Sequence, residues 1–286
     1  MSLVRLMVLT MLAMVAFAGN SLLCRAALKH TAIDAASFTS VRLLSGTLML
    51  WLIVQMRQGA AGGRGSWRSA LALFAYAAAF SYAYVSLPTA TGALLLFGTV
   101  QISLIVHGLY VGERLHGVQI AGFVLAVGGL VGLLLPGLTA PPLFGSMLMI
   151  SAGIAWGVYT VRGKGTGDPT RVTAGNFLRT VPFAAALSVL MYRDFSFDVT
   201  GMGYAVVSGA VASGVGYAIW YAVLPSLKST KAAAVQLGVP VIAALGGIVL
   251  LGEPLTQRLV MTSAAILGGV ALVIMERYEM QKKDKR

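Results

Sequence analysis

The chain has 286 residues, 58% of them apolar and only 10% charged, with 34 glycines. An average soluble domain carries about 25% charged residues, so this composition excludes an ordinary soluble fold and leaves no length for a separate soluble domain. The net charge of +12 would otherwise point to nucleic acid, but the basic residues stand between apolar runs with no aromatic-basic motif, so no nucleic-acid partner is expected.

In chain order, apolar runs bounded by charges, Pro or Gly predict membrane helices near 5–24, 34–56, 67–87, 89–111 and 117–135. Five more follow near 143–162, 171–192, 201–224, 229–251 and 256–276. Arg5, an apolar run and Ala16-Phe17-Ala18 imitate a cleaved signal peptide, but the run continues to Leu23 and reads as the first span. Cys24 is the sole cysteine, so no intrachain disulfide forms and the thiol reads as a small packing group. Ser86-Leu87-Pro88-Thr89 and Leu224-Pro225-Ser226-Leu227-Lys228 are the only breaks in two long apolar stretches, and each reads as a tight reversal.

The positive-inside rule predicts that alternate loops collect Lys and Arg. Fifteen of the 21 basic residues fall on one side: Arg5, Arg57, Arg64, Arg68, Arg114, Arg162, Lys164, Arg171, Lys228, Lys231, Arg277, Lys282, Lys283, Lys285 and Arg286. Arg25, Lys29, Arg193 and Arg258 fall on the other, while Arg42 and Arg179 lie inside spans. Both termini are therefore expected in the cytoplasm.

The segment from Ser86 aligns without a gap on the segment from Ser226, in a register of 140 residues. Ala93/Ala233, Gly98/Gly238, Gly112-Glu113/Gly252-Glu253 and Leu115/Leu255 are identical. The expected organisation is a first five-helix repeat, 1–137, and a second, 138–286, ending in a short basic cytoplasmic tail, the two forming one structural unit. An odd number of spans per repeat inverts the second copy, an arrangement typical of alternating-access transporters. The expected fold is thus an all-α integral membrane protein of ten transmembrane helices in two inverted repeats.

These features resemble the drug/metabolite transporter superfamily, specifically the EamA-type ten-helix exporters. The resemblance rests on the small residues from Ala232, Pro240, LLGEPLT from Leu250, Gly268-Gly269, Phe38 before Arg42, GYAIWYAVL from Gly216, and Ala155-Trp156-Gly157 echoing Phe17-Ala18-Gly19. Val100 and Gln101 stand where the second half has Pro240 and Val241, so the fourth helix lacks the matching proline. The resemblance implies a multi-pass protein of a bacterial inner membrane, similar to exporters of aromatic and other amino acids. It implies a small-molecule substrate, a lipid-embedded monomer and no cofactor.

The acids lie in loops or at span ends, which disfavours cation-drug export and acid-mediated proton coupling and favours facilitated diffusion of a small zwitterion. Export of another neutral metabolite or a drug with proton coupling remains open, as does an intramembrane enzyme, although no paired acids or nucleophile-base set supports one. Candidate substrate contacts are Asn20, Gln101 and Gln236, whose amides hydrogen-bond an amine or carboxylate, and the aromatic walls Tyr82, Trp156, Tyr217, Trp220 and Tyr221. Each ring also reads as helix packing or an interfacial anchor. Pro88, Pro225 and Pro240 are candidate hinges, and Glu113 and Glu253 candidate gates or turn stabilisers. His107 is a candidate proton relay. Arg42 and Arg179 are expected to snorkel to the outer end of their helices or to bind an anionic substrate. Gly128/Gly132 and Ala264/Gly268 are small-xxx-small pairs suited to close helix approach.

Overall fold

A computed structural model of the protein describes residues 2–57, 63–137, 140–163, 167–227, 232 and 235–283, with side chains described to 275. Among the described residues the chain is helical without strands: α1 (Leu3–His30), α2 (Ala35–Met56), α3 (Trp67–Ser86), α4 (Thr89–Tyr110), α5 (Gly117–Leu134), α6 (Leu143–Arg162), α7 (Pro169–Leu190), α8 (Val199–Ser226), α9 (Gly238–Leu251) and α10 (Gln257–Lys283). All but α7 and α9 are long and apolar enough, by length and composition, to cross a membrane. The polar residues Thr170, Arg171, Thr173, Asn176, Arg179 and Thr180 lower the hydropathy of α7.

Several boundaries follow from local chemistry. Asp34, Ser66, Asp168 and Asp198 cap α2, α3, α7 and α8, each side chain accepting the backbone N–H of the residue three positions on. Three of the loop acids are therefore helix caps. The expected ninth span, 229–251, is interrupted: Leu237 is a turn and α9 starts at Gly238. Pro240 lacks the N–H that would bond the Gln236 carbonyl, so the helical ladder breaks there and the proline occupies the first turn of α9. Lys164, Lys228, Lys231, Ala233 and 284–286, on which parts of the charge pattern and repeat rest, lie outside the described residues.

Packing relations recur with the two halves exchanged. Helix α1 packs on α8 and α9, and α6 packs on α3 and α4; α2 meets α8 as α7 meets α3; α2 and α7, α4 and α9, and α5 and α10 pair across the halves. At the α5–α10 seam the close approach is made by Gly122, Gly129 and Gly269: a Cβ on Gly122 would stand 2.6 Å from the Gly269 carbonyl oxygen, and one on Gly129 2.9 Å from Ala265 and Ile266 side-chain atoms. Gly128 and Gly268 face open space, which corrects the small-xxx-small expectation by one residue, or about 100° around each helix.

Contacts also join loops at two distinct ends. Arg57 pairs with Asp168 at 3.6 Å at one end, linking the α2–α3 and α6–α7 connections. At the other, Asp34 Oδ2 accepts the Ser196 N–H at 3.0 Å, linking α1–α2 to α7–α8, and Arg258 Nη1 donates to the Leu135 carbonyl, linking α9–α10 to α5–α6.

Candidate functional site

Rings from α1, α3, α6, α7 and α8 converge in the middle of the bundle. Trp156 lies 4.8 Å from Tyr76, 5.3 Å from Tyr159 and 5.6 Å from Tyr217, the last nearly parallel at 22°. Tyr217 stacks on Tyr221 at 6.2 Å, one helical turn away, and meets Phe17 at 5.6 Å and Phe177 at 6.1 Å. Trp220 also meets Phe17, at 6.1 Å. Four expected aromatic contacts, Trp156, Tyr217, Trp220 and Tyr221, thus come together.

Tyr82 does not join them. It is half-buried and, among the described residues, makes no ring contact. Tyr76, Phe80 and Tyr84 occupy the inward face of α3, with centroid separations of 5.5 and 4.8 Å. Their i, i+4, i+8 spacing is the signal that would have found them, and Tyr82, two residues out of phase, points elsewhere. Phe17, Tyr159 and Phe177 carry no comparable sequence signal. Two hydroxyls are held by neighbours: Thr173 Oγ1 donates to Tyr221 Oη at 3.3 Å and Asn176 Nδ2 to Tyr159 Oη at 3.3 Å.

The three amides part company. Asn20 is 4% exposed, and its Oδ1 accepts hydrogen bonds from Ser208 Oγ at 2.8 Å and Ser213 Oγ at 3.3 Å. Those serines lie in Ser208–Val215, a π-helical stretch inside α8 whose i→i+5 hydrogen bonding widens the turn and brings positions i and i+5 closer to one face. Asn20 therefore ties α1 to α8. Gln101 is buried and Gln236 half-buried, and neither forms a hydrogen bond among the described residues. His107 is half-buried one turn before the end of α4.

Neither mid-span arginine snorkels outward. Arg42 is 3% exposed and turned into the bundle, its guanidinium carbon 4.8 Å from the Phe80 centroid and 5.5 Å from that of Tyr76, with Nη2 donating to Tyr76 Oη at 3.1 Å. Arg179 reaches the other way, toward the start of α3: Nη1 donates to the Arg64 and Gly175 carbonyls, and its guanidinium lies 5.9 Å from the Trp67 ring. Arg179 is thus held by two backbone carbonyls, whereas Arg42 is held by one hydroxyl and two ring faces.

Glu253 is the one buried acid among the described residues, at 5% exposure. Gly252, in the left-handed conformation at φ +62°, ends α9 and turns the carboxylate back over Gly247. Oε1 meets Arg25 Nε at 3.3 Å and Oε2 accepts the Thr89 N–H at 2.7 Å. Arg25 Nη1 also donates to the Tyr84 and Val85 carbonyls at 2.9 and 3.0 Å. The ends of α1, α3 and α9 are thereby clamped to the start of α4, where Pro88 precedes the first turn. Glu113, also following a left-handed glycine (Gly112, φ +94°), folds over Gly108 but is exposed. Pro225 lies in the tight turn Leu224–Ser226 that ends α8. Along α4 every residue from Thr89 to Gln101 except Phe97 is buried, whereas Val106 and Leu109 to Glu113 are exposed. Hollows of about 480 Å³ beside Arg258 and about 350 Å³ beside Asp34 lie away from the rings.

Two successive segments, residues 5–135 and 143–275, each match the EamA-like transporter family. The chain belongs to that family. Membership in the EamA-like family makes it a multi-pass membrane transporter of the drug/metabolite superfamily. An uncharacterized protein of Pseudomonas aeruginosa is 58% identical over 274 residues, covering 96% of each chain. A protein of Escherichia coli named probable amino-acid metabolite efflux pump is 26% identical over 199 residues, 64% of this chain and 67% of that one. One from Streptantibioticus cattleyicolor, named probable terminal-alkyne amino-acid exporter, is 25% identical over 210 residues, covering 71% and 70%. A solved crystal structure shares the fold of this EamA-like chain with a TM-score of 0.66 at 19% identity, over 96% of this chain and 99% of its own.

Proposed function

We propose that the protein exports small zwitterionic metabolites, amino acids foremost, from the cytoplasm across a bacterial inner membrane. It acts as a monomer by alternating access of two inverted five-helix halves, by facilitated diffusion and without a cofactor. The observation that carries the reading is the clamp of Glu253, Arg25 and Thr89 across one end of the aromatic centre. A gate that joins the second half to the first at one end, with α4 exposed toward the other, fits a carrier closed on one side. Packing relations that recur with the halves exchanged support the pseudo-symmetric mechanism, since two similar halves then offer two conformations of comparable energy.

In the proposed ten-span topology the Glu253 end lies outside and the Glu113 end inside. Glu113 then acts as the inner counterpart of Glu253, closing the cytoplasmic mouth when the outer clamp opens. A centre of rings suits an apolar side chain or an ammonium face, and the names of the amino-acid efflux relatives point the same way.

The test is uptake of an amino-acid panel into liposomes containing the purified protein, with and without an imposed pH gradient. Movement of at least one amino acid down its gradient is expected. No movement of any would sink the amino-acid reading; strict dependence on the pH gradient would replace facilitated diffusion with proton-coupled export.

A further inference from the structure

We propose that Arg42 is the anion receptor of the transport site, taking the carboxylate of the substrate while Trp156 and Tyr217 take its side chain. The assignment rests on the amino-acid reading above for the identity of the cargo, and on the surroundings of Arg42 for the chemistry.

Arg42 differs from the other arginines inside the bundle in how its donors are used. Arg25 is completed by a carboxylate and two carbonyls, Arg179 by two carbonyls, and Arg258 by a carbonyl at a loop. Arg42 has one hydrogen bond, to Tyr76, and two ring faces; its Nη1 is buried without a hydrogen-bond partner. Arg171 also leaves a nitrogen unpaired, but its half-buried side chain sits in the first turn of α7. Among the described residues the acid partners are committed elsewhere, Glu253 to Arg25 and Asp168 to Arg57, and Arg42 has no counter-anion.

A permanently charged guanidinium in a low-dielectric interior is costly unless paired, and ring faces compensate only part of that cost. Evolution toward stability alone would replace it with an apolar side chain. A cation kept there with a free donor is suited to an anion that comes and goes. The fork of N–H donors matches a carboxylate in two-point geometry, which an ammonium cannot imitate.

The placement fits an amino acid. Tyr76, which holds Nη2, lies 4.8 Å from Trp156, which in turn stacks 5.6 Å from Tyr217. Carboxylate and side chain of one small molecule would then contact Arg42 and the ring stack together. Arg42 is then the group that selects for a carboxylate.

Calorimetric titration of the purified full-length protein with phenylalanine and with phenylalaninamide tests this, because the pair differs only in the carboxylate. The wild type is expected to bind phenylalanine about tenfold or more tightly than the amide, as sites built to pair a polar group reject analogues lacking it. In Arg42→Gln the two should bind equally, with amide affinity retained, and Arg42→Lys should keep part of the preference. Equal binding of both by the wild type, no binding of either, or equal loss of both in a folded Arg42→Gln protein would overturn the assignment. If Arg42→Gln does not fold, the wild-type comparison and Arg42→Lys decide. The readout is independent of transport. A carboxylate preference without liposome flux sinks the export reading and leaves Arg42 standing, whereas flux of amino acid and amide alike does the reverse.

Discussion

Glu253 Oε2 accepts the backbone N–H of Thr89 at 2.7 Å, so a carboxylate at the end of α9 caps the first turn of α4, 164 residues away in the chain. The N-terminal end of a helix carries partial positive charge and unpaired N–H groups, and the Arg25 guanidinium on Oε1 completes the charge balance. Removing the acid leaves Arg25 half-buried with only carbonyl partners and Thr89 without a cap. Glu253→Ala should weaken closure of this end by about 2 to 3 kcal/mol. In a background with Cys24 replaced by Ala, Leu87→Cys, wholly buried beside the clamp, should react slowly with a membrane-impermeant maleimide and at least tenfold faster once Glu253→Ala is added. An unchanged labelling rate would show that the clamp does not hold this end shut.

Asn20, Ser208 and Ser213 make a single unit. Ser213→Ala should cost about 0.5 to 1.5 kcal/mol, the net value of one hydrogen bond, whereas Asn20→Ala leaves two buried hydroxyls without their acceptor and should cost about 2 to 3 kcal/mol. Thermal unfolding in detergent should rank Asn20→Ala as the more damaging. If Asn20 instead served substrate alone, its variant would unfold like the wild type and lose only transport.

The α2–α8 crossing depends on Gly209. A Cβ there would collide with the Arg42 carbonyl oxygen and Ser45 Oγ. Backbone cannot move aside as a long side chain can, so Gly209→Ala should destabilise by at least about 2 kcal/mol and disturb the position of Arg42. Gly128→Ala, which meets open space, should be neutral and gives the control in the same unfolding measurement.

Asp34 provides a pH signature outside the membrane spans. Partial burial pushes its carboxyl up, but hydrogen bonds from Ser37 and Ser196 outweigh this and hold it below its usual value. A folded-state value below the unfolded one means the contribution is present above the unfolded pKa, about 3.9, and is lost as pH falls through the folded value. Asp34→Asn should therefore lower the melting temperature at pH 7, and the gap to wild type should close toward pH 3. A gap that widened in acid would reverse the sign and contradict the assignment.

The rings divide into those that line the centre and one that does not. Trp156→Ala should raise the half-saturation concentration for a transported amino acid about tenfold, in keeping with loss of one stacked aromatic contact. Tyr82→Phe should leave it unchanged. Equal effects in the liposome assay would mean that the ring contacts of Trp156 serve packing alone.

Helix ends marked by a proline or a charge were readable within a residue or two: 67–87 against Trp67–Ser86, 89–111 against Thr89–Tyr110, and 143–162 against Leu143–Arg162. Pro240 was readable as a hinge because it lacks an N–H, but the start of its helix was not: 229–251 reads as one apolar run, whereas Leu237 is a turn and α9 starts at Gly238. Likewise, spacing alone brought Tyr217 and Tyr221 to one face, while Asn20 read as a free amide because the π turn that aligns Ser208 with Ser213 leaves no mark in an apolar stretch.

Composition and hydropathy along the chain determined a helical membrane protein, because apolar length and backbone satisfaction in lipid are properties of consecutive residues. The Gly112-Glu113 and Gly252-Glu253 pairs drew attention to two helix ends for the same local reason. Tertiary structure decided what those groups do. Whether an acid caps a foreign helix, as Glu253 does at Thr89, or an arginine turns inward without an anion, as Arg42 does, depends on which distant helices surround it. That cost or gain is set by dielectric and by partners far away in the chain, neither of which is carried by a residue and its neighbours.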